Sequence, residues 1–361
     1  MGLQYPRVQI DRARLAHNAR VLLERCSEKG ISVSAVTKVT AAHPLVVQTL
    51  AGFHFHSLAD SRISNLRRVR GICPDAELML LRMPPPSRAA EVVRWADMSL
   101  NSELTTLRAL DSEAGRADVI HGVVLMVDLG DLREGVWKDR LAGICDEVGR
   151  MSHLRVRGLG TNLACYGGVR PTRAKMMDLL ACRDVATETL GHDIEFISGG
   201  NSANWQILET GDLPEGINHL RVGEALLLGN ESVDRIPIPG MHDDVFTLSC
   251  EVIESQVKPS MPIGDLGQDA FGNTPQFEDR GSHHRAIVAV GRQDVVPEGL
   301  RPEMEGVCIL GASSDHMILD VEDAREDIRT GDVLNFTVRG YSALLAVFTS
   351  QYVQKTVVEW E

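Results

Sequence analysis

The chain has 361 residues, of which 43% are hydrophobic, and it carries a formal net charge of −13. Phosphate backbones select clustered Lys and Arg, and here 50 acidic residues outnumber 37 basic ones, so a nucleic-acid-binding role is not expected. No apolar stretch is long enough to span a bilayer and the N-terminus lacks a signal-peptide pattern. We therefore expect a cytoplasmic protein with no membrane role.

The first two thirds of the chain alternate short β-rich runs with segments of helical periodicity. The β-rich runs are, in order, "SVSAVTK", "FHSLAD", "ELMLLR", "ADMSLN", "VVLMVDLG", "VRGLGTN", "EFISGGN" and "HLRVGEALLLG". Between them, segments such as "SELTTLRALDSEAG" and "TRAKMMDLLACRDVATETLG" have apolar residues at helical spacing, and the second ends before Gly191. About eight strand-helix units over about 220 residues predict a closed (β/α)8 barrel of the TIM type, whose typical length is about 250 residues.

The pattern changes at a Pro/Gly-rich joint, "IPIPGMHDD". Beyond it, runs such as "VFTLSCEVIES", "DVLNFTVRG" and "ALLAVFTSQYVQKTVVEW" are rich in β-forming residues and show almost no helical periodicity. The predicted fold class is therefore α/β plus all-β, with an N-terminal barrel over residues 1–236 and a C-terminal β domain over residues 237–361. The first strand of the chain is left open as a member of either domain.

The cysteines and histidines give no metal-binding pattern. Seven cysteines are scattered along the chain without a C-x-x-C pair, which argues against a disulfide framework or a zinc knuckle. Two histidine pairs, His54 with His56 and His283 with His284, lack a third ligand at a familiar spacing. We therefore predict no metal site.

Polar side chains follow nearly every predicted barrel strand. Barrel enzymes carry their reactive groups on the loops after the strands, so these residues predict one polar mouth above a packed core. They are Lys38, Asp60, Ser61, Arg82, Asn101, Asp128 through Arg133, Thr161, Asn162, Ser198 through Ser202, Arg221 and Gly223. Strand ends are also polar simply because they meet water. This explains any single polar residue in the set, but it explains less easily why there are so many.

Three of these positions suggest a chemistry. A lysine such as Lys38 at the rim of an apolar site is desolvated, which lowers its pKa from about 10.4 and supplies the free amine that forms an imine with an aldehyde. The natural aldehyde is pyridoxal phosphate. The turn in "ISGGNS" offers backbone N–H groups and the hydroxyls of Ser198 and Ser202 to a phosphate, although an ordinary turn explains it about as well. Arg221 stands just before Gly223, where backbone can approach a ligand closely.

A set of motifs runs through the whole chain in a fixed order. They are "VQIDRARLAHN", "MVDLGDLREG", "GLGTNLACYGG", "ISGGNS", "INHLRVGEALLLG" and "DAFGNTP" followed by "AIVAVGRQDV". Together they resemble the alanine racemase superfamily, the fold type III pyridoxal-phosphate enzymes, and within it the ornithine racemase group. The resemblance implies a racemase that interconverts L- and D-ornithine by two-base proton exchange at Cα, with alanine or broad-specificity racemisation as the alternative.

The resemblance also implies roles for individual residues. Lys38 matches the lysine that holds the cofactor and acts as one acid/base at Cα, and Arg221 matches an arginine against the pyridine nitrogen. Arg133 matches an arginine beside the substrate carboxylate, and Asn162 stands where a histidine beside the ring is frequent. The other implied cofactor-binding positions are Ser198, Gly199, Gly200, Asn201, Ser202, Gly223, Glu224, Ala225 and, in the β domain, Tyr352.

The chain departs from the family pattern at the second base. Phe271-Gly272 stands where a Tyr-Gly pair of the other subunit would supply it, and phenylalanine cannot carry a proton. Asp269 lies nearest the expected position and is the first candidate to replace that tyrosine. The other candidates are Tyr166, Cys165, His283 and His284. A second departure is Met126, which replaces a lysine beside Arg133, so the hydrogen-bond support of that arginine is expected to differ.

Substrate and assembly follow from the same resemblance. Ser314 and Asp315 match positions at the substrate entrance, where a carboxylate can accept hydrogen bonds from the distal ammonium of a diamino acid. Because the site takes residues from both domains, a head-to-tail homodimer is implied, with each barrel mouth against the partner's β domain. A non-catalytic pyridoxal-phosphate-binding protein is one rival, but such proteins lack so long a second domain. A fold type III decarboxylase is the other, although it usually has Cys-Asp where this chain has Ser314-Asp315.

Overall fold

The computed structural model describes residues 4–358 and divides them into two units. The barrel unit comprises residues 15–38 and 42–243, and the sheet unit comprises residues 4–14, 39–41 and 244–358. The first strand, β1 (Arg7–Asp11), lies in the sheet unit. The units divide between Asp243 and Asp244 rather than after residue 236, because the Pro/Gly-rich joint still belongs to the barrel unit.

Eight parallel strands close into a barrel. They are β2 (Ser32–Val36), β3 (Ser57–Asp60), β4 (Leu78–Leu80), β5 (Met98–Asn101), β6 (His121–Met126), β7 (Leu154–Gly160), β8 (Phe196–Ser198) and β9 (His219–Val222). Each pairs with its neighbours in chain order, and β2 pairs with β9 to close the ring. Each strand overlaps a β-rich run of the sequence, and the predicted (β/α)8 barrel is confirmed.

Helices alternate with these strands. They are α1 (Arg12–Ser27), α2 (Pro44–Leu50), α3 (Ile63–Ile72), α4 (Ala89–Trp95), α5 (Leu104–Ala117), α6 (Leu141–Gly149), α7 (Arg173–Leu190), α8 (Trp205–Glu209) and α9 (Glu224–Leu228). Helix α7 begins where the Thr172 side chain accepts a hydrogen bond from Lys175 N at 3.3 Å, and it ends at Gly191, whose φ is 70°. Within residues 4–358 no helix is long and apolar enough to cross a membrane, and the predicted cytoplasmic location stays a prediction.

The sheet unit is built on a mostly antiparallel sheet of eight strands. After β1 these are β10 (Phe246–Pro259), β11 (Ser282–Val288), β12 (Leu300–Pro302), β13 (Cys308–Ala312), β14 (Met317–Asp320), β15 (Val333–Val338) and β16 (Gln354–Val358). The main path runs in the order β12, β15, β10, β11, β14, β13. Strand β1 pairs antiparallel with β10 and parallel with β16, so the first strand of the chain is part of this sheet.

One element of the sheet unit differs from the sequence prediction. Residues Tyr341–Thr349 form a helix, α10, inside a run that the sequence predicts as strand. A short, almost wholly apolar run does not distinguish a buried helix from a buried strand by its periodicity. Packing decides here, because Phe348 of α10 lies edge-on to Phe246 of β10 with ring centroids 5.6 Å apart.

Apolar side chains fill the barrel interior. Those that form its central cluster are Val36, Ala59, Met79, Met98, Leu100, Val124, Met126 and Phe196. Gly158 of β7 pairs with Phe196 of β8, and a Cβ atom at position 158 would lie 2.4 Å from the phenylalanine ring. The absence of a side chain at Gly158 therefore gives the Phe196 ring its place in the core.

Replacing Gly158 by alanine is expected to overpack the barrel. We expect Gly158→Ala to lower the free energy of unfolding by about 1–3 kcal/mol, because the new methyl group meets the Phe196 ring. Chemical denaturation checks this, and Phe196→Leu in the same chain should recover part of the loss of Gly158→Ala. Gly71→Ala on α3 is the control, since a Cβ there meets nothing within 4 Å. Equal unfolding midpoints for the two glycine variants would contradict the assigned role of Gly158.

Candidate active site

The strands that close the barrel bring two cationic residues to its mouth. Lys38 follows β2, and Arg221 lies on β9, which pairs with β2. Burial lowers the pKa of Lys38, and the charges of Arg133 and Arg221 lower it further, whereas Cys165 and Asp60 oppose the shift. At neutral pH Lys38 therefore holds more free amine than a lysine in water.

Arg221 is buried among neutral hydrogen-bond partners. Its Nη2 donates to the Thr161 carbonyl at 2.8 Å, its Nη1 donates to Ser198 Oγ, and its backbone N–H donates to the Gly200 carbonyl at 2.9 Å. Burial lowers the pKa of Arg221 to about 10, and the charge of Glu134 opposes the shift. The guanidinium is thus a fixed cation in the barrel wall at neutral pH.

The loop after β6 holds Arg133 against a carboxylate. The guanidinium of Arg133 donates to both oxygens of Glu134, whose side chain is only 13% exposed. Asn162 Nδ2 donates to the same carboxylate at 3.2 Å, and Asn162 Oδ1 accepts from Asn201 Nδ2 at 2.9 Å. Met126 lies in the barrel core. The hydrogen bonds that hold Arg133 come instead from Glu134.

Two segments with glycine lie side by side near Arg221. Residues 199–202 follow β8 and residues 223–225 follow β9, and the Ala225 N–H donates to Ser202 Oγ at 3.1 Å. Several backbone N–H groups of these segments have no acceptor among residues 4–358: those of Gly200, Asn201 and Gly223. Unpaired N–H groups in a tight turn are suited to binding an anion such as a phosphate.

A buried carboxylate fixes the loop after β7. Asp131 is 1% exposed and accepts hydrogen bonds from the backbone N–H groups of Tyr166 at 2.9 Å, Val169 at 3.2 Å and Cys165 at 3.4 Å. The sulfur of Cys165 in turn accepts a contact from Asn201 Nδ2 at 3.5 Å. The loop that carries Cys165 and Tyr166 is therefore anchored to the loop after β6.

The candidates for a second base divide between the two units. Cys165 and Tyr166 lie in the barrel unit, where Tyr166 is largely exposed. Cys165 as a whole residue is also exposed, but its thiol group lies in partly buried surroundings. This burial raises the pKa of the thiol, and the charges of Arg133 and Lys38 oppose the shift. A thiol that stays protonated at neutral pH can donate a proton, whereas acting as a base requires the opposite protonation state.

Asp269 lies in the sheet unit, and its carboxylate holds a turn. Asp269 Oδ1 accepts from the backbone N–H groups of Asn273 at 2.8 Å and Phe271 at 2.9 Å. These bonds lower the pKa of Asp269, which makes it a weaker base. The geometry thus gives Asp269 a turn-forming role, and its catalytic role stays a prediction.

The other predicted residues of the sheet unit have local partners. His283 Nδ1 lies 3.0 Å from Asp320 Oδ2, and His284 Nε2 lies 2.7 Å from Ser255 Oγ. In the turn between β13 and β14, Ser314 Oγ donates to Asp315 Oδ1 at 3.0 Å. Tyr352 is exposed just before β16. The roles predicted for Ser314, Asp315 and Tyr352 stay predictions. In the described part of the chain, no group of three or more His, Cys, Asp or Glu side chains is placed to hold a metal ion.

Sequence reasoning missed two residues that organise the barrel mouth, Glu134 and His219, and it gave no individual role to Asp131, a member of the predicted polar run. Glu134 directly follows the predicted Arg133, and Asp131 lies in the polar run after β6. Both therefore lie in or next to a segment that the sequence predicts as part of the polar mouth. His219 lies inside β9, and its Nδ1 is 2.8 Å from Ser198 Oγ. The Ser198 hydroxyl is therefore engaged with His219 and Arg221, whereas the sequence assigns it to a phosphate.

Lys38 is expected to react as a free amine at a lower pH than surface lysines do. Because burial disfavours its charged form, the fraction of unprotonated Lys38 rises earlier as the pH increases. Competitive acylation with a small reagent, followed by peptide mass spectrometry, measures the pH at which labelling is half-maximal. The exposed Lys29 in the same chain is the internal control. Half-maximal labelling of Lys38 at the same or a higher pH than Lys29 would contradict the argument.

The geometry can be compared with known proteins. Residues 10–231 match the family model "Alanine racemase, N-terminal domain". The chain is 41% identical over 355 residues to an ornithine racemase of Acetoanaerobium sticklandii, covering 98% of this chain and 100% of that protein. It is 39% identical over 351 residues to a lysine racemase of Thermotoga maritima, covering 97% and 98%.

A solved structure shows the same fold. The alanine racemase of Bartonella henselae with covalently bound pyridoxal phosphate superimposes with a TM-score of 0.75 over 99% of this chain and 100% of that chain. At 16% identity this likeness concerns the fold alone. The family match covers more than half of the chain, and both relatives exceed 30% identity over nearly all of it. The chain therefore belongs to the alanine racemase family and is a racemase.

Proposed function

We propose that the protein is a pyridoxal-phosphate-dependent racemase whose principal substrate is ornithine. The observation that carries the proposal is the position of Lys38, a half-buried amine with a lowered pKa near the fixed cation of Arg221. A lysine in this state is suited to bind an aldehyde covalently. The family to which the chain belongs supports the same cofactor.

The residues of the barrel mouth fit the parts of pyridoxal phosphate. Lys38 would hold the aldehyde carbon, and Arg221 would donate to the pyridine nitrogen. The N–H groups of Gly200, Asn201 and Gly223, which have no acceptor among residues 4–358, would hold the phosphate. The turn requires glycine at position 200, because its φ is 140° and a Cβ there would lie 2.5 Å from Asn204 Oδ1. When bound, the cofactor supplies an electron-withdrawing ring that makes the Cα–H bond of an attached amino acid acidic.

Residues of the barrel mouth would perform the steps on one face of the substrate. The neutral amine of Lys38 would take the proton from Cα on that face, and the ammonium so formed would return it. Arg133, held by Glu134, would bind the substrate carboxylate and so fix the orientation of Cα. Arg221, with a pKa of about 10, stays protonated and keeps a positive charge at the ring nitrogen without giving up its proton. Inversion further requires a proton carrier on the opposite face, for which Cys165 and Tyr166 lie in the barrel unit and Asp269 in the sheet unit.

The preference for a diamino acid rests on the relatives and on charge. Both relatives at about 40% identity are named for racemisation of a diamino acid, ornithine in one and lysine in the other. In this chain, Glu224 lies at the mouth with its side chain 10% exposed. Burial raises the pKa of Glu224, and the nearby charge of Lys38 opposes this shift. A carboxylate near the substrate side chain would attract its distal ammonium. Lysine is therefore the second substrate to test, and alanine, which lacks that ammonium, is the expected poor one.

We further propose a head-to-tail homodimer. The sheet unit exposes apolar side chains on the segment between β10 and β11, and Ile263 there is 92% exposed. The others on this segment are Leu266, Phe271 and Phe277. On the barrel unit, the mouth loops expose Leu132 and Tyr166. Exposed apolar residues grouped on functional loops are typical of a surface covered by a partner. A second copy of the chain would cover each group with the other.

Replacing Lys38 tests cofactor and reaction together. We expect wild-type protein mixed with pyridoxal phosphate to show the absorbance band of a lysine-bound cofactor, and to convert L-ornithine to D-ornithine faster than L-lysine or L-alanine. In Lys38→Ala the band should be absent and the rate at least about 10²–10⁴-fold lower, because the amine that moves the proton is gone. Absorbance spectra and chiral chromatography measure both quantities.

Lys29→Ala is the control for this experiment, because it removes an exposed lysine outside the mouth. It should keep both the band and the rate of the wild type. A band without inversion of any amino acid would overturn the proposed reaction, and release of CO2 would indicate a decarboxylase. A racemisation rate in Lys38→Ala equal to that of the wild type would show that Lys38 is not part of the active site.

A charge in the exposed segment tests the dimer. Ile263→Glu should shift the protein from dimer to monomer and lower racemisation in parallel, because a carboxylate would be desolvated in the interface. Sedimentation velocity over a dilution series measures the assembly. Val119→Glu, on the exposed turn before β6, is the control and should leave the dimer intact. A wild-type protein that is monomeric and active at every dilution would rule out the shared site.

A further inference from the structure

A chain of polar side chains crosses the barrel wall where the barrel closes. Ser198 Oγ of β8 lies 2.8 Å from His219 Nδ1 of β9, and His219 Nε2 lies 2.8 Å from Ser34 Oγ of β2. Ser34 Oγ lies 2.6 Å from Ser57 Oγ of β3. These four residues, here called the Ser–His chain, are all at most 2% exposed. One end of the chain meets Arg221, whose Nη1 donates to Ser198 Oγ.

Arg221 sets the direction of the hydrogen bonds. A guanidinium only donates, so Ser198 Oγ must accept from Arg221. In residues 4–358 the remaining hydrogen-bond partner of Ser198 Oγ is His219 Nδ1, so the Ser198 hydroxyl donates there. His219 then carries its proton on Nε2 and donates to Ser34, which donates to Ser57. In the opposite direction, Ser198 would accept from both neighbours and leave its own proton buried beside a cation, which costs free energy.

This direction requires a neutral histidine. A protonated imidazole donates from both nitrogens, and its Nδ1–H would meet the Ser198 proton that already points at it. Burial lowers the pKa of His219 well below its usual value, and the neighbouring His56 and Arg221 lower it further. Two aromatic rings enclose the imidazole, with centroid distances of 4.8 Å to His56 and 4.7 Å to Phe196. The surroundings thus keep His219 in the form that accepts from Ser198.

We propose that His219 is a positioning residue for Arg221, which it orients by accepting the Ser198 proton and donating its own to Ser34. The inference rests on the proposed function in assigning Arg221 to the pyridine nitrogen. A guanidinium can rotate about its side-chain bonds, and among residues 4–358 the hydrogen-bond partner of Nη1 is Ser198 and that of Nη2 is Thr161. Fixing the Ser198 hydroxyl fixes Nη1, and with it the plane of the guanidinium that faces the ligand.

The first measurement needs no cofactor. Protein selectively labelled with ¹⁵N-histidine should show a signal from His219 with a proton on Nε2 and none on Nδ1, and this signal should not titrate between about pH 5 and 8. Loss of the signal in His219→Gln assigns it. A His219 signal with the proton on Nδ1, or one that titrates in this range, overturns the inference.

The second measurement separates positioning from space filling. His219→Phe keeps an aromatic ring but leaves Ser198 without an acceptor, whereas the amide of His219→Gln can accept at one end and donate at the other. If His219 positions Arg221, the dissociation constant for pyridoxal phosphate should rise about five- to a hundredfold in His219→Phe and less in His219→Gln. The pH midpoint of the bound cofactor's absorbance should shift in the same order. A merely packing role predicts the reverse order of the two variants.

The chain offers a matched control. His121 is equally buried in β6, its Nε2 lies 2.8 Å from Ser99 Oγ, and within residues 4–358 it makes no hydrogen bond to Arg221. His121→Phe should destabilise the fold about as much as His219→Phe but leave cofactor affinity and the absorbance midpoint unchanged. Equal effects of the two phenylalanine variants on cofactor affinity would overturn the inference. Failure of the wild type to bind pyridoxal phosphate would instead overturn the proposed function, and the ¹⁵N measurement would still test the Ser–His chain.

Discussion

The pairing of β2 with β9 is the constraint on which the site depends. These strands lie near the two ends of the barrel sequence, and their pairing places Lys38, after β2, next to the strand that carries Arg221. Parallel strands in a barrel all end at the same rim, so the loops after β6, β7 and β8 converge on these two residues. The Ser–His chain runs across the same pair of strands, through Ser34 and His219. The strand pairing that closes the barrel therefore also brings the residues of the mouth together.

The mouth concentrates positive charge. The mouth contains three cationic side chains whose charges interact in partly buried surroundings: Lys38, Arg133 and Arg221. The Glu134 carboxylate contacts Arg133 and opposes the lowering of the Arg221 pKa. Like charges at short range in a low dielectric disfavour one another, and the group that can lose its proton most easily is the lysine. The two arginines thus help Lys38 to act as a free amine while they remain charged themselves. The same field favours a ligand that carries a phosphate and a carboxylate.

Much of the fold could be predicted from the sequence because its elements follow simple rules. Each barrel strand lies in a short β-rich run with a polar residue at its end or within two positions after it, and helix α7 is flanked by a threonine at its N-terminus and a glycine at its C-terminus. Helix α10 could not be predicted, because its run of Ala, Leu, Val and Phe fits either a buried strand or a buried helix. In that case the contact with Phe246, far away in the chain, decides.

The site was predictable to the extent that its residues stand at strand ends. Lys38, Arg133 and Arg221 carry the charges that the barrel rule brings together, and the structure places them in one unit. His219 was not predictable, because a histidine inside a strand acquires its partners Ser198 and Ser34 only when three strands meet. The sequence predicts Asp269 as the second base only because it lies near Phe271 along the chain, whereas the turn that its carboxylate forms depends on local backbone geometry.

The place of β1 in the sheet has a consequence for the order of synthesis. This strand pairs with β10 on one side and with β16 on the other, so it needs partners that are made after the whole barrel. A ribosome releases the complete barrel sequence, residues 15–243, before either partner of β1 exists. The barrel can therefore form while the chain is still growing, and β1, although it is made before the barrel, is among the last strands to find its neighbours. Arrested translation before β16 would leave β1 with one unpaired edge, open to another nascent chain.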